Sequence, residues 1–132
     1  KELPEEFYVP DLDQITTQSS DNKQMRTEQL NPVALHIQDL IRQQCIESFD
    51  TYKELLADNC PRELARSVLP VGTYSHMFAT ANLHNWYRFL SERLHPHAQY
   101  EIRVYAVEIL KVLSELYPIA TAAFKTTINF DI

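Results

Sequence analysis

"NPVALHIQDLIRQQCIESFDTYKELLADNCP", residues 31–61, decides the fold class. Ile37, Ile41, Cys45, Phe49, Tyr52 and Leu56 recur every three or four residues, the spacing that lines one stripe of an α-helix. Asn31 reads as the N-cap and Pro32 as the first helical residue, where a missing N–H costs nothing. Cys60-Pro61 ends the run. Beyond it, "PRELARSVLP" restarts a short helix at Pro61 that stops before Pro70. "TYSHMFATAN" alternates, with Tyr74, His76 and Phe78 on one face and Met77 and Ala79 on the other, which predicts a strand near 74–81. Asn82 then caps "LHNWYRFLSERL", and His95-Pro96 repeats the cap-plus-proline pattern ahead of a long helix to Tyr117. That helix carries a stripe of Ala98, Ile102, Ala106, Ile109, Leu113 and Leu116; Pro118 breaks it and "IATAAFK" adds a last turn or two. In the other direction, "EEFYVP" reads as a short strand or extended arm. "TTQSSDNKQMRTEQ" reads as a loop, because Gln, Ser, Thr and Asn favour turns and solvent. The predicted fold is α+β and mainly helical: a single domain over 1–132, with an arm and loop at 1–31 and a helical body at 32–132. Its one strand needs a sheet completed by residues outside the chain or by other subunits.

Composition narrows the function. At 132 residues and 45% hydrophobic, the chain has room for one core. Its single glycine, Gly72, excludes Walker and Rossmann phosphate loops, which need several glycines for close backbone approach. Any anion is therefore expected on side chains and helix N-termini. The two cysteines, Cys45 and Cys60, are too few for a disulfide framework and lack CxxC spacing. Cys45, on the apolar stripe, reads as a small buried hydrophobe rather than a nucleophile. No apolar run approaches the roughly 20 residues of a membrane span, and no signal peptide is recognisable, so the expected setting is soluble, reducing and cytoplasmic. The chain opens at Lys1 rather than Met and is read as a processed, truncated or partly observed polypeptide.

Charge is unevenly placed. The formal net charge is −6, yet His76, His84, His95, His97, Arg88, Arg93 and Arg103 crowd between His76 and Arg103, against Glu92 and Glu101. A compact cationic site in an acidic chain points to a small anionic ligand and away from nucleic acid, whose footprint is broader and more basic. The other reading is a solvated helix face. His84, Arg88 and Glu92, four apart, share one strip of the helix, with Asn85 and Arg93 on neighbouring strips. Trp86, Phe89 and Leu90 fall on the core side. An Arg88–Glu92 ion pair would explain part of the pattern. Asn82 presents an amide beside the helix's free N–H groups. The i, i+2 spacing of His95 and His97 across a helix start is not expected to bring both imidazoles to one face. With no Cys/His/carboxylate set nearby, no metal is expected. His97, in the first helical turn, suits a hydrogen bond to a ligand. Arg66 lies among residues expected to be buried, so it needs a carboxylate or phosphate; Glu63 is the local candidate. No Ser-His-Asp or Cys-His set and no pair of acid–base carboxylates can be assembled.

In chain order, "FYVP", "NKQ", "LARSVLPVGTY" and "TANLHNWYRFLSERLHPHAQYEIRVYA" resemble the carboxy-terminal half of the flavin-dependent thymidylate synthases, from about Glu6 to Phe124 and most densely from Ala65 to Ala106. The resemblance implies an enzyme that makes dTMP from dUMP, with the one-carbon unit from methylenetetrahydrofolate and electrons from NADPH through bound FAD. It implies a homotetramer with active sites shared between subunits, and no cysteine nucleophile. By position, Arg66 is similar to an arginine that binds dUMP, and Arg93 to one that contacts the pyrimidine and favours its ionised form. Asn82, Leu83, His84 and Arg88 fall where the family contacts FAD, and His97 where a histidine lines the flavin and folate pocket. The family's Arg-His-Arg-x-x-Ser signature is absent, Met25 stands where a glycine is common, and Arg88 replaces a neutral or histidine side chain. The chain is therefore expected to need an amino-terminal partner segment for activity. Two other readings stay open: a non-catalytic helical oligomerisation module, and a nucleotide-binding protein without redox chemistry.

Overall fold

The computed structural model describes residues 2–22 and 25–129. Lys23 and Gln24, two of the three residues in the "NKQ" stretch, lie outside the described residues. The architecture is α+β and mainly helical, in two compact units, Lys1–Met77 and Phe78–Ile132.

In the first unit, α1 (Ala34–Ala57) carries the predicted stripe, with Cys45, Phe49 and Tyr52 buried. It starts later than Asn31-Pro32 suggests. Asn31 Oδ1 accepts the Val33 N–H at 3.0 Å and the Asn31 carbonyl accepts the Ala34 N–H at 3.0 Å, so this pair builds a turn before the helix. Its end is a left-handed cap: Asn59 has φ 58°, Cys60 N–H donates to the Leu55 carbonyl and Asn59 N–H to that of Leu56. The short α2 (Arg62–Ala65) runs into a 3-10 turn at Arg66–Val68. Ala65 closes against Phe49 and Tyr52, with Phe7, Leu55, Leu56, Cys60, Val68 and Leu69 packed around them. Phe7 brings the amino-terminal arm to this core, its ring centroid 5.9 Å from that of Phe49.

Two expectations here are corrected. Residues 1–31 are not simply arm and loop: β1 (Thr16–Gln18) pairs antiparallel with β2 (Arg26–Leu30), with Thr16 opposite Leu30 and Gln18 opposite Arg26. Thr17 and Thr27 join their hydroxyls across this pair at 2.6 Å. Conversely, residues 74–81 form no strand. The ladder stops at a lone bridge between Phe7 and Thr73, where Tyr8 N–H donates to the Gly72 carbonyl and Tyr74 N–H to the Glu6 carbonyl. "EEFYVP" is thus an extended arm, and both strands that pair among the described residues, β1 and β2, belong to its own unit.

Gly72 is not sterically required. A methyl group there would sit 3.5 Å from the Tyr8 carbonyl oxygen, an ordinary contact, and its φ is not positive. Gly72→Ala should therefore raise stability by about 0.4–1 kcal/mol by restricting the unfolded chain. A higher urea midpoint at unchanged m-value checks this.

Lys53 holds the arm electrostatically, at 2.6 Å from Glu5 and 3.3 Å from Asp50, while Arg62 lies 3.7 Å from Glu2. The Glu5 hydrogen bond, foremost, raises the Lys53 pKa above its ordinary 10.5. A raised lysine pKa means this contribution is fully present below 10.5 and is lost as pH climbs through the higher folded value. Lys53→Met should accordingly speed amide exchange at Tyr8 at neutral pH. High salt should narrow the difference, because both partners are exposed.

The second unit packs α3 (Leu83–Arg93), α4 (Tyr100–Leu116) and α5 (Pro118–Ile128). Leu90, Leu94, Ala106, Leu110 and Leu113 form its buried cluster, with Trp86, Tyr87, Phe89 and Phe124 packed against it. The predicted α4 stripe is rotated at its end: Leu110 is the buried residue, Ile109 only flanks it, and Leu116 is 65% exposed. Pro118 starts α5, which is an eleven-residue helix rather than a turn or two. Thr121 is buried and ties the three helices. Its single hydroxyl proton goes to the Leu113 carbonyl at 2.9 Å, so the Tyr87 hydroxyl donates to Thr121 Oγ1, also at 2.9 Å. Thr121→Val removes one atom that serves both partners and should cost about 1–3 kcal/mol in chemical denaturation.

Candidate anion-binding sites

Arg66 and the remaining predicted site residues fall in different units, and each unit holds its own candidate site. In the first, Arg66 stands on the 3-10 turn and walls a cleft of about 250 Å³ with Glu2, Leu3, Pro4, Glu6, Tyr74, Ser75 and His76. The backbone bonds between the arm and Gly72–Tyr74 create this cleft by bringing two remote segments together. Its volume lies below that of ordinary small-molecule sites, so it takes part of a ligand, such as a phosphate or sugar. Arg66 and His76 supply donors; Glu2 and Glu6 set a local negative field that disfavours diffuse anion binding. Tyr74, Ser75 and His76 were not foreseen as partners of Arg66. Their alternation signalled a strand, and nothing local signals a cleft.

In the second unit, Asn82 caps α3 as predicted: its Oδ1 accepts the Asn85 N–H at 2.9 Å. The N–H groups of Leu83 and His84 have no intrahelical acceptor and face outward at the positive end of the helix. Leu83 is half-buried and anchors this end to the core, while His84 and Arg88 are exposed on one strip. Among the described residues no ion pair joins Arg88 to Glu92, so that explanation of the cationic face falls away. Arg93 is exposed in the last turn, where the negative helix end favours a cation. At about 1.5 Å per residue, Asn82 and Arg93 are separated by roughly 16 Å along the axis. A ligand that met both ends would have to span that length.

The segment after α3 departs from expectation. His95-Pro96 does not start the long helix; α4 begins at Tyr100, so His97 lies in a preceding turn rather than a first helical turn. In that turn His95 Nδ1 accepts the His97 N–H at 3.1 Å, and the two rings meet edge to face with centroids 4.6 Å apart. The imidazoles are thus brought together, which helical i, i+2 geometry would not do. Among the described residues, no group of three or more His, Cys, Asp or Glu side chains could hold a metal. Burial pushes the Cys45 thiol up, as fits a buried hydrophobe rather than a nucleophile. No helix among the described residues is long and apolar enough to cross a membrane.

The class that the fold defines is a mainly helical α+β protein, and its Asn82-capped helix presents exposed His84 and Arg88. Comparison with known proteins specifies the family. Residues 1–119 match the family described as "Thymidylate synthase complementing protein". The chain is 39% identical over 127 residues to a flavin-dependent thymidylate synthase of Gluconobacter oxydans (strain 621H), covering 93% of this chain and 42% of the relative. It is 40% identical over 135 residues to that of Treponema denticola, covering 98% of this chain and 51% of the relative. With the Dictyostelium discoideum enzyme it shares 37% identity over 123 residues, 92% of this chain and 40% of the relative. The chain belongs to the thymidylate synthase complementing protein family, and it spans about half the length, or somewhat less, of these curated relatives.

Proposed function

We propose that this chain supplies active-site residues to a flavin-dependent thymidylate synthase that converts dUMP to dTMP, with methylenetetrahydrofolate as one-carbon donor and NADPH as reductant, in a cytoplasmic homotetramer with shared sites. The observation that carries this reading is the Asn82-capped helix with exposed His84 and Arg88, in a chain whose relatives named for this activity match over nine-tenths of its length.

The donor set fits FAD. Free N–H groups at Leu83 and His84, the Asn82 amide and the Arg88 guanidinium suit a pyrophosphate, and His97 would lie along the ring portion. When bound, FAD supplies a ring that accepts and passes on reducing equivalents. Arg66 would hold the nucleotide phosphate as a charge-assisted donor. Arg93 would sit beside N3 and O2 of the pyrimidine, where a fixed cation stabilises negative charge as it develops in the ring.

A hybrid tests the proposal directly. Residues 1–132 would replace the matching segment of the Gluconobacter oxydans relative, with the corresponding Treponema denticola segment as a control swap. The proposal expects both hybrids to form dTMP from dUMP. A folded hybrid of this chain that forms none, beside an active control, would reject it.

A further inference from the structure

We infer that His95 is a positioning residue: its side chain builds the turn that presents His97, and so sets ligand affinity at this end of the site. The inference rests on the flavin reading above for what His97 meets, but its geometry stands independently. A backbone N–H can only donate, so His95 Nδ1 is the unprotonated nitrogen and the ring proton is on Nε2. The His95 carbonyl accepts the Ala98 N–H at 2.9 Å, and Arg103 Nη1 donates to the Pro96 carbonyl at 3.3 Å. Together with the ring-on-ring contact to His97, these bonds hold the residues between α3 and α4, while Gln99 gives α4 no side-chain cap.

The same device occurs elsewhere in this chain. At Asn31-Pro32-Val33 the first side chain also accepts the N–H two residues on, at 3.0 Å, and its carbonyl accepts the N–H three residues on, also at 3.0 Å. His95-Pro96-His97 repeats this pattern with a ring nitrogen in place of the amide oxygen. In each turn proline fixes the central φ and removes a competing donor. Asparagine at 95 should therefore rebuild the acceptor, and alanine should not.

The test compares the full chain with His95→Ala and His95→Asn. Exchange of the His97 amide is followed by NMR, and FAD affinity by quenching of Trp86, the only tryptophan, which lies on α3. His95→Ala should speed His97 exchange roughly two- to tenfold and weaken FAD by a similar factor, as expected for one lost hydrogen bond. His95→Asn should restore both. Unchanged exchange in His95→Ala, failure of the asparagine rescue, or altered exchange with unaltered FAD affinity would each overturn the inference. If the unsubstituted chain by itself takes up no FAD, affinity is read in the hybrid; a folded hybrid that takes up none rejects the flavin reading, and the amide pattern alone then decides whether His95 positions His97.

Discussion

Leu90→Ala should destabilise the Phe78–Ile132 unit by about 2–5 kcal/mol. Leu90 is fully buried and sits among Leu94, Ala106, Leu110 and Leu113, so truncation loses transfer energy and leaves a cavity that two packed helices cannot easily close. A loss of this size is a large share of the stability of any small domain. Urea denaturation should show a lower midpoint at similar slope. A change below about 1 kcal/mol would mean that the site collapses freely, contrary to the packing described. The effect on binding should be indirect, because His84 and Arg88 are on the exposed side of the same helix.

Arg93→Ala should behave in the opposite way. Arg93 is exposed, so stability should stay within about 0.5 kcal/mol. In the active hybrid, turnover should fall roughly 10- to 150-fold, equivalent to about 1.5–3 kcal/mol, while flavin retention stays near that of the parent. The two should separate because three of the proposed flavin contacts, Asn82, Leu83 and His84, gather at the other end of α3, roughly 16 Å away, and only His97 follows Arg93 closely in the chain. Equal loss of flavin and activity would instead place Arg93 in the flavin site and remove the pyrimidine role.

What the sequence made legible follows from which forces are local. The stripe through Cys45, Phe49 and Tyr52 and the Asn82 cap could be read directly, because helical periodicity and capping depend on neighbours three or four residues away. The hairpin at Thr16–Leu30 could not, since its strands present almost no buried face and carry threonine and glutamine where alternation would show. Residues 74–81 present the reverse case: they alternate well, yet Met77 and Phe78 are 80% and 103% exposed and no neighbouring strand pairs with them. A pattern of period two says which side chains share a face, not whether a ladder partner exists.

Both X-Pro signals were displaced for one reason. Proline disfavours the α conformation at the residue before it, so Asn31 and His95 close turns first, and the helices begin at Ala34 and Tyr100. The cationic residues of the candidate site are visible in the sequence by type and spacing. Their partners are not: the cleft around Arg66 depends on Glu6 pairing with Tyr74, a contact between segments far apart in the chain.

The most direct measurement is the visible absorption spectrum of the purified hybrid, with FAD, before and after dUMP. A bound-flavin spectrum that dUMP perturbs is the predicted result, because it requires that flavin and nucleotide occupy one shared site built with residues of this chain. A folded hybrid that retains no flavin, or whose flavin spectrum is indifferent to dUMP, would contradict it.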